Sequence, residues 1–137
     1  MQTSNFRVSI VLEGSVSPSE DPQKVMKALQ NVLGECEYQV EETRRSVRMK
    51  SKNIKCIEKV RDQFRDRRIR GVARRLALGS KQEYRLTFML NRQAAYEGII
   101  ALCGSEGESP MGPLYLTLES PEVDKLIDWL TSYPEPG

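Results

Sequence analysis

The chain of 137 residues contains no histidine, which removes the commonest general base, the usual nucleophilic triads and most zinc sites at once. It also lacks a phosphate-cradling loop of the G-x-x-x-x-G-K kind, and no G-x-G-x-x-G follows a strand-like segment. No apolar run approaches the roughly 18 residues of a membrane span, and no secretory pattern opens the chain. The expectation is a cytoplasmic location with no membrane association. Cysteine is scarce: Cys36, Cys56 and Cys103 are widely spaced with no C-x-x-C pair, and are expected to be reduced and structural. The carboxylate pairs Glu20 with Asp21 and Glu41 with Glu42 fall in turns with no second cluster to complete a metal cage, so they read as solvated or capping residues. No metal, cofactor or enzymatic chemistry is indicated.

What is abundant is positive charge in one place. Residues 44–75 hold 14 of the 21 lysines and arginines against three acids, a net of +11, while the remainder carries −9. The overall balance of +2 therefore hides a divided molecule. Such asymmetry points to a polyanionic partner, most often nucleic acid.

Apolar residues at 39% and charged residues at 29% suit a globular chain of one domain over residues 1–137. Residues 5–13 alternate, with Phe6, Val8, Ile10 and Leu12 on one side, as in a half-buried strand. Asp21 before Pro22 opens a helix, Val25, Met26, Leu29, Val32 and Leu33 recur at helical spacing, and Gly34 closes it. Cys36, Tyr38 and Val40 mark a second strand, residues 42–45 a turn, and Val47 and Met49 a third strand. From Ile54 the period becomes helical through Ile57, Val60 and Phe64. Residues 65–75 continue into a third helix or a bent extension of the second.

Beyond that helix, Gly79 is an expected stop, and Tyr84, Leu86, Phe88 and Leu90 alternate as a strand. Residues 90–98 make a turn or one helical turn capped by Asn91. Ile99 to Cys103 is apolar on both sides and reads as a central strand. Residues 104–112 form an exposed loop, Leu114, Leu116 and Leu118 the last strand, and Val123, Leu126, Ile127 and Leu130 the stripe of a final helix. Residues 133–137 are expected to fray.

The order β-α-β-β-α-α-β-β-β-α predicts an α+β domain whose mixed, mostly antiparallel sheet has helices on one face. The other face would show Arg7, Ser9, Gln39, Arg85, Thr87 and Tyr115. Phe6, Tyr38, Tyr84 and Phe88 share the buried phase, so core packing is favoured over base stacking for all four.

On a wheel of about 100° per residue, Ile69, Val72, Ala73 and Leu76 face the core. Arg67, Arg70 and Arg74 form one outer stripe and Arg68 and Arg75 a second, with Gly71 between them. Guanidinium forks match phosphate oxygens, and a residue without a side chain lets a backbone approach. The competing reading is a solvated face in which Asp62 and Asp66 pair with nearby arginines.

Several strings resemble a known family: SPSEDPQKVMKALQNV, IEKVRDQFRDRRIRGVARRLAL, FMLNRQAAYEG, MGPLYLTLES and LIDWL. Together they are similar to the archaeal uncharacterised protein family 0201, catalogued as predicted RNA-binding and sometimes as a predicted exosome-associated protein. The resemblance spans nearly the whole chain. It implies a fold similar to the 5S-rRNA-binding large-subunit ribosomal protein and no assigned enzymatic activity. Ala73, Arg74 and the run from Asn91 to Ala95 match the family pattern, whereas Gly71 stands where an acidic residue is expected.

The leading expectation is a non-catalytic RNA-binding protein, linked to RNA processing or ribosomal RNA, that grips phosphates without sequence preference. Arg67, Arg68, Arg70, Arg74 and Arg75 carry it, helped by Arg44, Arg45 and Arg48. Asn91, Arg92 and Gln93 are candidate secondary contacts to bases or sugar, against their reading as a cap and turn. The alternative is a protein partner or a homodimer, the basic helix docking on acids such as Glu35, Glu37 and Glu41.

Overall fold

The structure, a computed structural model, describes residues 7–131; Phe6 and the tail at 133–137 lie outside the described residues. The first alternating segment forms β1 (Ser9–Ser15), with Ile10 and Leu12 fully buried. Helix α1 (Pro22–Leu33) is capped by Asp21, whose carboxylate accepts from the Gln23 amide at 3.0 Å. Gly34 ends it at a φ of 73°, a conformation that favours glycine. The hairpin of β2 (Gln39–Glu42) and β3 (Ser46–Ser51) follows. β2 begins later than expected, and all four of its residues are exposed, Val40 included.

A 3-10 turn at Ile54–Ile57 leads into α2 (Glu58–Asp66), then α3 (Arg70–Ser80), β4 (Arg85–Leu90), α4 (Arg92–Tyr96), β5 (Leu102–Cys103), β6 (Leu114–Glu119) and α5 (Val123–Thr131). The strands form one sheet in the order β2-β3-β1-β6-β4-β5, antiparallel throughout. In register, Leu12 stands beside Met49 and Leu116, and Leu116 beside Phe88. One face of the sheet is therefore continuous core, closed by Val25, Leu29, Val60, Phe64, Leu126 and Leu130 from the helices. Gly14 permits this closeness, since a Cβ there would lie 2.7 Å from Leu114 Cδ2 and 3.2 Å from Val25 Cγ1.

Four expectations are corrected. The apolar run from Ile99 to Cys103 is not a central strand: only Leu102 and Cys103 pair, at the sheet edge. The residues before them leave the sheet, and the Ile100 amide donates to Gln63 Oε1 at 2.8 Å. Helix α3 runs past Gly79 to Ser80, whose hydroxyl oxygen accepts from the Thr87 amide at 3.0 Å. Tyr84 is 59% exposed, because it lies in the turn before β4, where Gln82 and Arg85 bridge. Cys36 and Cys56 form a disulfide with Cα atoms 5.3 Å apart. The fold brings the α1–β2 connection onto the 3-10 turn, a proximity that chain spacing does not express. Cys103 remains a buried free thiol, its pKa raised by burial and by the Glu108 carboxylate.

No helix among the described residues is long and apolar enough to cross a membrane.

Candidate nucleic-acid interface

The arginine-rich stretch folds as two helices joined by an elbow. Val60 and Phe64 anchor α2, with the Phe64 ring edge-on to Phe88 at 5.4 Å between centroids. At its end the Ile69 amide donates to Phe64 O at 2.9 Å and the Arg68 amide to Arg65 O at 3.1 Å. This is the Schellman pattern, whose left-handed residue is usually glycine. Here that residue is Arg68, at a φ of 58°. The chain restarts as α3 from Ile69, which makes no side-chain cap, and no acid stands in its first turn.

A single helical wheel across residues 65–75 therefore does not hold. Relative to the new axis the inward positions are Ala73 and Ala77, both fully buried, while Ile69 and Leu76 pack partly against the core. Val72 is not a core residue; it is 38% exposed. A Cβ at Gly71 would meet open space.

The elbow treats its arginines differently. The Arg67 guanidinium donates to the Ile100 carbonyl. The Gln63 side-chain amide fastens the same segment by donating to Gly98 O at 2.8 Å. Arg74 is held by Asp128 at 2.8 Å and by the Thr131 hydroxyl at 3.3 Å. Arg65 pairs with Asp66 at 3.0 Å, and Arg61 lies 4.5 Å over the Trp129 ring while touching Asp62 at 3.4 Å. Asp62 and Asp66 thus balance Arg61 and Arg65 along α2, as the solvated-face reading expects. Arg70 is half-buried at the start of α3. Arg68 and Arg75 are exposed and take part in no ion pair among the described residues.

The hairpin arginines lie elsewhere. Arg44 and Arg45 are exposed at the turn between β2 and β3, which the Thr43 hydroxyl braces by accepting from the Ser46 amide at 3.1 Å. Arg48 lies on the helix-free face of the sheet with Glu13 at 3.4 Å and Glu41 at 3.9 Å; its Nε is buried without a partner. Four strand spacings, about 19 Å, separate β3 from β5, beside which the elbow sits. The two basic groups are not one patch.

Of the three candidate secondary contacts, Asn91 caps α4, its side-chain oxygen accepting from the Ala94 amide at 2.9 Å. Gln93 is exposed and reaches Pro110 O at 3.5 Å. Arg92 cannot contact RNA in this fold, because it is 0% exposed. Its guanidinium donates to Gly112 O at 3.0 Å, Ser15 O at 2.7 Å, the Ser15 hydroxyl at 3.2 Å and the Glu20 carboxylate at 3.2 Å. Glu20 is consequently not a solvated residue: its carboxylate accepts from the Ser17 amide at 3.0 Å and also compensates a buried charge, as such a charge requires. Sequence carried no signal for this pairing across 72 residues.

On the helix-free face, Tyr115 donates its hydroxyl hydrogen to Glu106. That bond, with burial and the carboxylate charges of Glu106 and Glu13, pushes the Tyr115 pKa up to about 12. Among the described residues, no group of three or more cysteines, aspartates or glutamates is arranged to hold a metal ion.

The fold is that of an α+β protein built on one antiparallel sheet, and a family model described as RNA binding matches residues 9–110. The chain belongs to that family, and it also has curated archaeal relatives that carry the name UPF0201. It is 34% identical over 133 residues to the UPF0201 protein of Aeropyrum pernix, covering 95% of this chain and 89% of that one. With the UPF0201 protein of Sulfurisphaera tokodaii it shares 36% over 125 residues, 89% of this chain and 86% of that one. The crystal structure of the UPF0201 protein from Methanococcus jannaschii superposes with a TM-score of 0.75 at 22% identity, covering 93% and 95% of the two chains. At that identity the likeness speaks for the fold.

Proposed function

We propose that the protein is a non-catalytic RNA-binding protein that takes hold of the phosphate backbone at the α2–α3 elbow. The observation that carries this reading is Arg68 and Arg75, exposed and outside any ion pair among the described residues, beside a helix that contains no acid. Guanidinium groups so placed offer forked donors to phosphate oxygens. The amide end of a helix adds positive potential where no carboxylate opposes it. Arg67 and Arg70 flank the elbow, and Arg74 joins them only by leaving Asp128. Arg44 and Arg45 form a separate contact at the hairpin tip. The family description as RNA binding supports the same partner.

With Arg67, Arg68 and Arg75 each neutralising one phosphate, log affinity for single-stranded RNA falls with log salt at a slope of about −0.7 × 3, or roughly −2.1. Replacing Arg68 and Arg75 together by alanine should flatten that slope to about −0.7 without disturbing the fold, since both side chains are exposed. An unchanged slope removes the elbow from the interface. Cross-linking in cells, followed by sequencing of the attached RNA, tests the extension to RNA processing or ribosomal RNA that the family resemblance implies. Recovery of no transcript above background, together with a salt-sensitive dimer in sedimentation, would favour self-association instead. In that reading the basic surface meets Glu35 and Glu37, which are exposed, while Glu41 is already paired with Lys50 at 3.0 Å.

A further inference from the structure

At the end of the sheet remote from the elbow an open groove of about 710 Å³ is lined by Arg7, Ser9, Lys52, Tyr84, Glu119 and Pro121. Its size falls within the roughly 300–1,000 Å³ range of small-molecule and cofactor sites. Three strands meet there. Ser9 pairs with Glu119, Ser51 at the end of β3 pairs with Ile10, and the Ser120 amide donates to Tyr84 O at 2.9 Å. The groove is thus bordered by backbone held by the sheet, and Tyr84, 59% exposed, is part of its lining. Arg7 and Lys52 are exposed, and neither enters an ion pair among the described residues. An exposed aromatic side chain in one groove with two cations that enter no ion pair among the described residues matches one chemistry well, a planar base with a phosphate on either side.

We propose that this groove takes a nucleobase of single-stranded RNA, stacked on Tyr84, with the flanking phosphates on Arg7 and Lys52. The inference rests on the RNA-binding reading and adds to it a contact that sees bases and not only backbone. Glu119, on the groove wall, supplies an acceptor suited to an exocyclic amino group, so adenine, cytosine and guanine fit better than uracil. Tyr84 and the elbow lie toward opposite ends of β4, a strand of about 20 Å, so substitutions at the two places act independently.

The test uses the full chain and two labelled probes of equal length, a twelve-residue oligoadenylate and an abasic ribose-phosphate oligomer, with affinities read by fluorescence anisotropy at one fixed low salt. Tyr84→Ala should weaken oligoadenylate binding about 5- to 100-fold and leave the abasic oligomer unchanged, whereas Tyr84→Phe should keep wild-type affinity for both. Arg7→Ala with Lys52→Ala should weaken both probes. If Tyr84→Ala binds oligoadenylate as the wild type does, while Arg68→Ala with Arg75→Ala binds it less well, the groove proposal is overturned and the elbow reading stands. If the wild type binds neither probe, both fall together.

Discussion

Arg68 holds a backbone conformation at φ 58° that glycine adopts freely and other residues adopt at a cost of about 1 kcal/mol or more. Among the described residues the guanidinium is exposed and enters no ion pair that would repay it, and the elbow itself is closed by backbone hydrogen bonds that any residue could donate. Arg68→Gly should therefore raise the unfolding free energy in urea by about 1 kcal/mol while lowering the salt slope of RNA binding by about 0.7. A variant that is both less stable and equally good at binding would contradict the account of this position. Tyr115 makes a second prediction. Its folded-state pKa lies above the ordinary value of 10.0 because of the bond to Glu106. The contribution of the bond to stability is complete below about pH 10 and is lost as pH rises through about 12. In alkaline titration followed by near-ultraviolet absorbance, Glu106→Gln should bring one tyrosine's midpoint down toward 10; identical curves for the two proteins would show that the bond does not form in solution. Arg92 marks the limit of residue-by-residue reading. Its neighbours Asn91 and Gln93 are surface or capping groups, and only the convergence of Ser15, Glu20 and Gly112 makes it an interior residue.

The elements were legible where a repeat of two or 3.6 residues ran uninterrupted, as in β1, α1, β6 and α5, and where a cap had its customary residues, as Asp21 with Pro22 does. The break between α2 and α3 was not, because the residue that turns the chain is an arginine and not the glycine that usually announces such a turn. Gly71, three residues later, sits inside α3 and marks no boundary. The five apolar residues from Ile99 escape the expected strand for a related reason: apolar composition does not say which of them are buried, and here Ile100 is interior while Ile99 is exposed. The disulfide belongs to this scale as well. It closes a separation of 20 residues and joins the approach to β2 with the turn that starts α2, a constraint on the unfolded chain of about 3 kcal/mol. Urea unfolding with and without a reducing agent should differ by roughly that amount, and Cys56→Ser should reproduce the reduced curve. Coincident curves would mean that the pair is not bonded.

For the whole molecule, the sequence told that positive charge is concentrated but not where it would surface. The basic stretch is wound over both faces of the sheet. Arg48 and Lys50 end among acids on the helix-free face, Arg61 and Arg65 are balanced along α2, and Arg74 crosses to α5. What remains unbalanced at the elbow is a small part of the total, and Tyr84 with Arg7 and Lys52 lies outside it. The architecture also governs how copies can meet. At one border of the sheet, β2 offers free backbone but flanks it with Glu41 and Glu42; at the other, β5 has two residues. A neighbouring strand would find adjacent carboxylates on the first side and almost no length to zip along on the second, a guard against filament growth of the kind that open sheets need. Contact between two molecules therefore falls to their side-chain surfaces and not to an extension of the sheet.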